Sequence, residues 1–198
     1  MADIVIADLY KAFGSKQVLR GLCGLIPEGE ITGLMAPSGA GKTTLLRILM
    51  GFEQADSGTV AGLRGLRLSA VFQEDRLCED LDASANIRLV NPALSRETVS
   101  AALTTFGLAD CAAQPVRDLS GGQRRRVSLL RGLLADYDLL LLDEPFKGLD
   151  EATKACILCE TARRVHGRTV LLVTHDPAEL NALDVHHMLS LTASHPTT

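Results

Sequence analysis

The residues best suited to chemistry in this 198-residue chain are Lys42 and Thr43. They lie in the stretch Ala36-Pro37-Ser38-Gly39-Ala40-Gly41-Lys42-Thr43-Thr44, between an apolar run from Ile31 to Met35 and a helix-like run ending at Met50. Small residues between a strand and a helix let backbone N–H groups turn inward around phosphate oxygens, and the helix start adds positive partial charge. In such a P-loop the lysine reaches the β- and γ-phosphates and the hydroxyl after it ligates Mg²⁺. Ala36 to Thr44 are therefore candidate nucleotide-binding residues, with Lys42 a catalytic candidate and Thr43 a metal ligand. Ala36 stands where the pattern opens on glycine. A residue before proline is pushed toward extended backbone, which alanine tolerates, so a negative φ is expected there.

Further groups able to act on a phosphate lie far away in sequence. Asp143-Glu144 follows four leucines, and Thr174-His175 follows the apolar run Thr169 to Val173. Asp143 is placed like the acidic residue that holds Mg²⁺ through water in P-loop enzymes. Glu144 is the candidate general base for an attacking water. His175 either donates to the γ-phosphate and positions that water or plays a structural part. A second phosphate cradle is legible at Leu119-Ser120-Gly121-Gly122-Gln123, where a hydroxyl and free N–H groups open another helix. Arg124, Arg125 and Arg126 follow and oppose the dipole of that helix, a choice favoured if an anion is brought there; solvent exposure remains open for at least one. Two cradles with one set of catalytic groups imply that the second serves a partner's nucleotide.

The elements that must position these groups are those of an α/β protein. Continuous apolar strands at Leu139–Leu142 and Thr169–Val173, joined by a helix over Glu151–Val165, predict a parallel sheet covered on both faces. Another strand is expected from Leu66 to Phe72, ending at Gln73. Ligands of such sheets bind beyond the carboxyl ends of the strands, where the P-loop, Gln73, Asp143-Glu144 and His175 all fall. The first thirty residues read as an antiparallel β-layer. Phe13 sits on a turn within it, either stacking on an adenine ring or edging the core. Helical patterns at Ala83–Leu89, Arg96–Phe106 and Arg124–Leu134 predict a helical subdomain over residues 74–135, inserted into a core of residues 1–73 and 136–191, with a loose tail at 192–198.

Composition narrows the function classes. A net charge of −4 and 4% aromatic residues argue against nucleic-acid binding. No apolar run reaches the roughly 18–20 residues of a membrane span, and the N-terminus lacks a basic leader, so a cytoplasmic location is expected. Five cysteines suggest buried free thiols. Cys156 and Cys159 have redox-motif spacing but fall inside a predicted helix, which favours two small core residues.

Taken together, the motifs resemble the ATP-binding-cassette (ABC) ATPase family across essentially the whole chain. Ala36–Thr43 is similar to its Walker A motif, Leu119–Gln123 to its signature motif, and Leu139–Asp143 to Walker B. Gln73 is similar to its Q-loop, Glu144 to the catalytic glutamate, Gly148-Leu149-Asp150 to the D-loop and His175 to the switch histidine. The resemblance implies the ABC ATPase fold, a P-loop NTPase parallel sheet with an antiparallel β-layer and an inserted helical subdomain. It implies ATP and Mg²⁺ as ligands, Gln73 beside the metal, Asp150 at the nucleotide, and Phe13 as the adenine-stacking aromatic. It further implies a head-to-tail dimer, expected to be a homodimer, sharing two ATPs, and a transmembrane permease partner sensed through Glu74–Val90. The chain would then work peripherally on the inner face of the cell membrane. Residues 71–77 look most like importer ATPases of the nitrate, sulfonate and taurine type. Cys78-Glu79-Asp80 departs from the apolar, proline-containing stretch usual there. A soluble ABC ATPase acting on DNA, ribosomes or cluster assembly is the alternative, although no sustained heptads and a single cassette speak against it. A small P-loop kinase would leave Ser120–Gln123 and His175 unexplained.

Overall fold

A computed structural model describes residues 2–37 and 39–191, so the tail expected at 192–198 lies outside the described residues. Strand β1 (Ile4–Phe13) pairs antiparallel with β2 (Lys16–Ile26). After β3 (Ile31–Leu34) and helix α1 (Lys42–Leu49), β4 (Ser57–Ala61) returns to the other edge of β1. These make a three-stranded antiparallel layer in the order β2-β1-β4. Its inward residues Ile4, Ile6, Leu9, Leu19 and Leu22 are buried while Val5, Tyr10 and Arg20 face outward, the period-two alternation of a half-buried sheet.

The second sheet is parallel. It contains β5 (Leu68–Val71), β6 (Leu139–Asp143), β7 (Thr169–Val173), β3 and β8 (His187–Leu189), in the order β5-β6-β7-β3-β8. Both faces are covered, which is why β6 and β7 are apolar without alternation. Leu139, Leu141, Leu171 and Val173 pack toward the antiparallel layer and α1, whereas Leu140, Leu142, Val170 and Leu172 pack toward the other helices. Each buried leucine contributes about 1.5–3 kcal/mol, so the two faces fix these strands firmly.

Between β5 and β6 the chain forms α2 (Ala83–Val90), α3 (Arg96–Thr105), two single 3₁₀ turns and α4 (Gly121–Leu134). Asp82, Ser95 and Ser120 cap these helices by accepting the N–H three residues on. Helix α5 (Glu151–Val165) joins β6 to β7, and the short α6 (Pro177–Ala182) leads from β7 to β8. The α6–β8 edge and the two 3₁₀ turns have no counterpart in the sequence patterns, and β4 joins an antiparallel layer expected from the first thirty residues alone.

Three expectations need correction. The strand before Gln73 is four residues long, because Leu66 closes a turn on Leu63 and the Arg67 N–H is taken by the Asp138 carboxylate instead of a strand neighbour. Helix α4 begins at Gly121, earlier than the arginines, because Ser120 and Gln123 cap it. The cysteines are free but mostly not buried: Cys111 is buried, Cys23 is half-buried, and Cys78, Cys156 and Cys159 are exposed. Ile157, Leu158, Thr161 and Val165 take the inner stripe of α5, which leaves Cys156 and Cys159 on its outer face.

Candidate active site

Register assembles the site. Val71 lies beside Leu142, Asp143 beside Val173, and Val173 beside Leu34, so β5, β6, β7 and β3 end at one level. The loops that follow carry Gln73, Glu144, His175 and residues 35–41. A cleft of about 390 Å³ opens there. It is lined by Phe13, Gly39, Gly41, Lys42, Thr43, Thr44, Gln73, Asp143 and Glu144, nine of the residues expected from sequence.

Among the described residues no side chain caps the start of helix α1. Its N-cap, Gly41, has φ of 104°, and a Cβ there would come within 2.9 Å of Leu19 Cδ2 and 3.1 Å of the Val18 carbonyl. Only glycine fits, and a helix start of this kind has first-turn N–H groups suited to an anionic acceptor. Ala36 is not among the residues with positive φ, in accord with the restriction imposed by Pro37. The Lys42 ammonium donates to the carbonyls of Ala36 and, at 3.1 Å, Pro37, so in this state it folds back on its own loop. Ser38 lies outside the described residues.

Asp143 is buried at the end of β6. Its carboxyl is held above the ordinary value by burial and then by the charge of Glu144, against the opposing pull of Lys42 and Arg125. Glu144 has φ of 47°, a left-handed conformation that costs a non-glycine residue about 1–3 kcal/mol. Its N–H donates to Val173 at 2.8 Å, which anchors the bend to β7. Among the described residues its buried Oε2 has no hydrogen-bond partner, lying 3.3 Å from His175 Nδ1 and 3.7 Å from Lys147 Nζ. His175 is exposed, but its loop is tied down on both sides. The Thr174 hydroxyl donates to Glu179 at 2.5 Å and accepts from the Asp176 N–H, while Lys154 bridges Asp176 and Glu179 at 2.6 and 2.7 Å.

The Thr43 hydroxyl, the Gln73 amide and the Asp143 carboxylate are oxygen donors lining one cleft. Among the described residues no group of three or more His, Cys, Asp or Glu could hold a metal. That donor set fits Mg²⁺, which binds through one or two carboxylates plus substrate phosphates and water, and the crowded carboxylates favour a cation.

The structure does not bring every expected residue to this cleft. Ser120, Gly121, Gly122 and Gln123 are absent from its lining. They form a capping box, in which Ser120 Oγ accepts from the Gln123 N–H at 3.2 Å and Gln123 Oε1 accepts from the Ser120 N–H at 2.8 Å. Asp150 caps α5 through the Thr153 N–H at 3.0 Å. Arg125 and Arg126 do not wait for an anion. Both are engaged by backbone carbonyls, those of Arg126 including Phe106 and Gly107. Lys16, Val18 and Lys147 line the cleft and were not anticipated. Lys16 sits three residues after Phe13 across the β1–β2 turn, and that turn was the available signal.

The ABC transporter family matches residues 19–147. The aliphatic sulfonates import ATP-binding protein SsuB 1 of Xanthomonas axonopodis pv. citri (strain 306) is 42% identical over 181 residues, covering 84% of this chain and 72% of that protein. The SsuB protein of Pseudomonas fluorescens (strain Pf0-1) is 41% identical over 188 residues, covering 91% and 70%. A bacterial Atm1-family ABC exporter solved with ATP bound superposes with a TM-score of 0.85 at 24% identity. That likeness covers 97% of this chain and 37% of the exporter chain, and it establishes the fold. A family match across most of the chain, with identities of 42% and 41% over nearly its full length, makes this chain a member of the ABC transporter family.

Proposed function

We propose that this chain binds and hydrolyses ATP and that the resulting motion powers a membrane importer of the sulfonate, nitrate and taurine type. The observation that carries this reading is the cleft itself, in which Lys42, Thr43, Gln73, Asp143 and Glu144 converge from separate strand ends. ATP enters with its phosphates at the start of α1 and its adenine against Phe13, which is 49% exposed. Lys42 exchanges its carbonyl partners for the β- and γ-phosphates. Thr43, Asp143 and Gln73 hold Mg²⁺, which when bound neutralises charge on the phosphate oxygens. Glu144 takes a proton from the attacking water as the oxygen of that water bonds to the γ-phosphorus and the bond from that phosphorus to the β,γ-bridging oxygen breaks, ADP leaving with the electron pair. His175, beside that carboxylate, orients the water and donates to the γ-phosphate.

The separation of Ser120–Gln123 from the cleft supports a site completed by a second copy. Two chains pack head to tail, and each ATP lies between the P-loop of one and Ser120, Gly121 and Gly122 of the other. Closure on ATP and opening after hydrolysis drive the permease. The chain docks peripherally on the cytoplasmic face of the membrane through Glu74–Val90. Exposed Leu81, Leu89 and Val90 in that region support the docking surface.

Glu144→Gln tests the assignment. Turnover falls by at least about 100-fold, as expected for removal of a general base, while ATP binding persists and a nucleotide-dependent dimer accumulates in size-exclusion chromatography. Normal hydrolysis by this variant would remove Glu144 from the role of base.

A further inference from the structure

Arg125 is 4% exposed, and its guanidinium collects the backbone of two separate loops. Nη1 donates to the carbonyls of Phe72 at 2.5 Å and Gln73 at 3.3 Å, and lies 3.3 Å from the Asp75 carboxylate. Nη2 donates to the carbonyls of Asp143 at 3.1 Å and Glu144 at 2.6 Å, and Nε donates to Pro145 at 2.9 Å. One planar fork thus ties the loop carrying Gln73 to the loop carrying Glu144. A guanidinium can do this because its donors point in fixed directions, whereas an ammonium is a single centre. The glutamate it holds is the residue whose φ is 47°, and a strained backbone persists only where its surroundings over-determine it. Arg125 projects from α4, five residues after Ser120, roughly 7.5 Å along the helix axis at about 1.5 Å per residue.

We propose that Arg125 is a positioning residue for hydrolysis, clamping the backbone of Glu144, and through it the aim of its side chain, together with the Gln73 loop in working register with helix α4. The inference rests on the reading of Glu144 as general base. It has a consequence for the paired chains: a displacement of α4 on arrival of the partner's nucleotide at Ser120 is felt at the base of the same chain. Sequence position alone suggests an anion-binding role for Arg125, yet its donors are occupied by the protein's own carbonyls.

The test uses Arg125→Lys in the full chain, alone and combined with Glu144→Gln. The substitution keeps a buried cation and removes the two-loop span. The expected result is a fall in kcat of about 100-fold, the order produced by misplacing a catalytic group by an ångström, with ATP affinity in a direct binding titration unchanged. In the Glu144→Gln background the same substitution lowers the residual single-turnover rate by less than about twofold, because effects acting through one group do not add. Wild-type turnover by Arg125→Lys, an equal loss in both backgrounds, or a parallel loss of ATP affinity would each overturn the proposal. Should Arg125→Lys fail to fold, Arg125→Gln is read in the same way, and failure of both to fold makes Arg125 a folding residue and also overturns it. If Glu144→Gln itself hydrolyses ATP normally, the base assignment has failed; if it is inactive while Arg125→Lys is normal, only the clamp has failed.

Discussion

Two helix starts in this molecule are built from similar letters and solve opposite problems. Helix α1 begins at Gly41-Lys42-Thr43 with no side-chain cap among the described residues, and its glycine is forced by φ of 104° and by Leu19 and Val18 pressing on the backbone. Helix α4 begins at Ser120-Gly121-Gly122-Gln123 and satisfies its own ends through a capping box. Around Gly121 a Cβ would meet nothing within 4 Å, and around Gly122 the nearest atom is Leu149 Cδ2 at 3.8 Å. The fold therefore requires glycine at position 41 and does not require it at 121 or 122. The first start is shaped by its own chain. The second leaves room that this chain does not fill, as expected if another chain's phosphate is to occupy it.

Ser120→Arg attacks that difference most strongly. A long cation at the α4 start blocks a partner's nucleotide, and turnover falls by about 100-fold or more, the scale of losing a preorganised phosphate or oxyanion contact. ATP binding to the separate chain, read by titration, is retained, because the cleft lining contains none of residues 120–123. Lost binding would mean the two starts serve one nucleotide.

Gly41→Ala is expected to destabilise the fold by about 2–4 kcal/mol, combining left-handed strain with overpacking against Leu19, measured by denaturant unfolding. Gly121→Ala makes the opposite prediction at the other start. Stability is unchanged or rises by about 0.5 kcal/mol, since glycine in a helix costs more chain entropy than alanine, while hydrolysis drops. A Gly121→Ala variant with full activity would show the empty space to be incidental.

The smallest effect concerns a third helix start, that of α5. Asp150 caps it, and the Thr153 N–H and hydroxyl hold its carboxyl below the usual aspartate value of 3.8. A folded pKa below the unfolded one gives stabilisation that is complete at neutral pH and is lost as the pH falls through the folded value. The protection of the first-turn amides of α5 against hydrogen exchange, taken relative to the intrinsic rate at each pH, should therefore fall in acid. The start of α4, capped by neutral Ser120 and Gln123, should not titrate there.

Much of this architecture was legible because it is local. The strand–loop–helix around Lys42, the all-leucine strand before Asp143 and the helix that follows Ser120 each declare themselves within a short span of chain. Less legible was anything that depends on which side of an element meets which neighbour. Cys156 and Cys159 lie off the stripe set by Ile157, Leu158, Thr161 and Val165, and that stripe was visible, but it was outweighed by the usual burial of cysteine. Arg125 was judged from its place near a helix start, where a cation is unfavourable. Five carbonyls from two distant loops reverse that judgement.

The sequence by itself determined the residue types on offer: a small-residue loop with its lysine and hydroxyl before a helix, paired carboxylates at a strand end, and a second glycine-rich helix start. Residue type and short-range spacing suffice for that, because backbone conformation and helix-start electrostatics are set within a few residues. Only the tertiary structure decided which groups share a cleft, that Ser120 is not one of them, and that Arg125 grips the loop of Glu144. Those outcomes depend on strand register and on burial between layers, which are settled by packing between segments far apart in the chain.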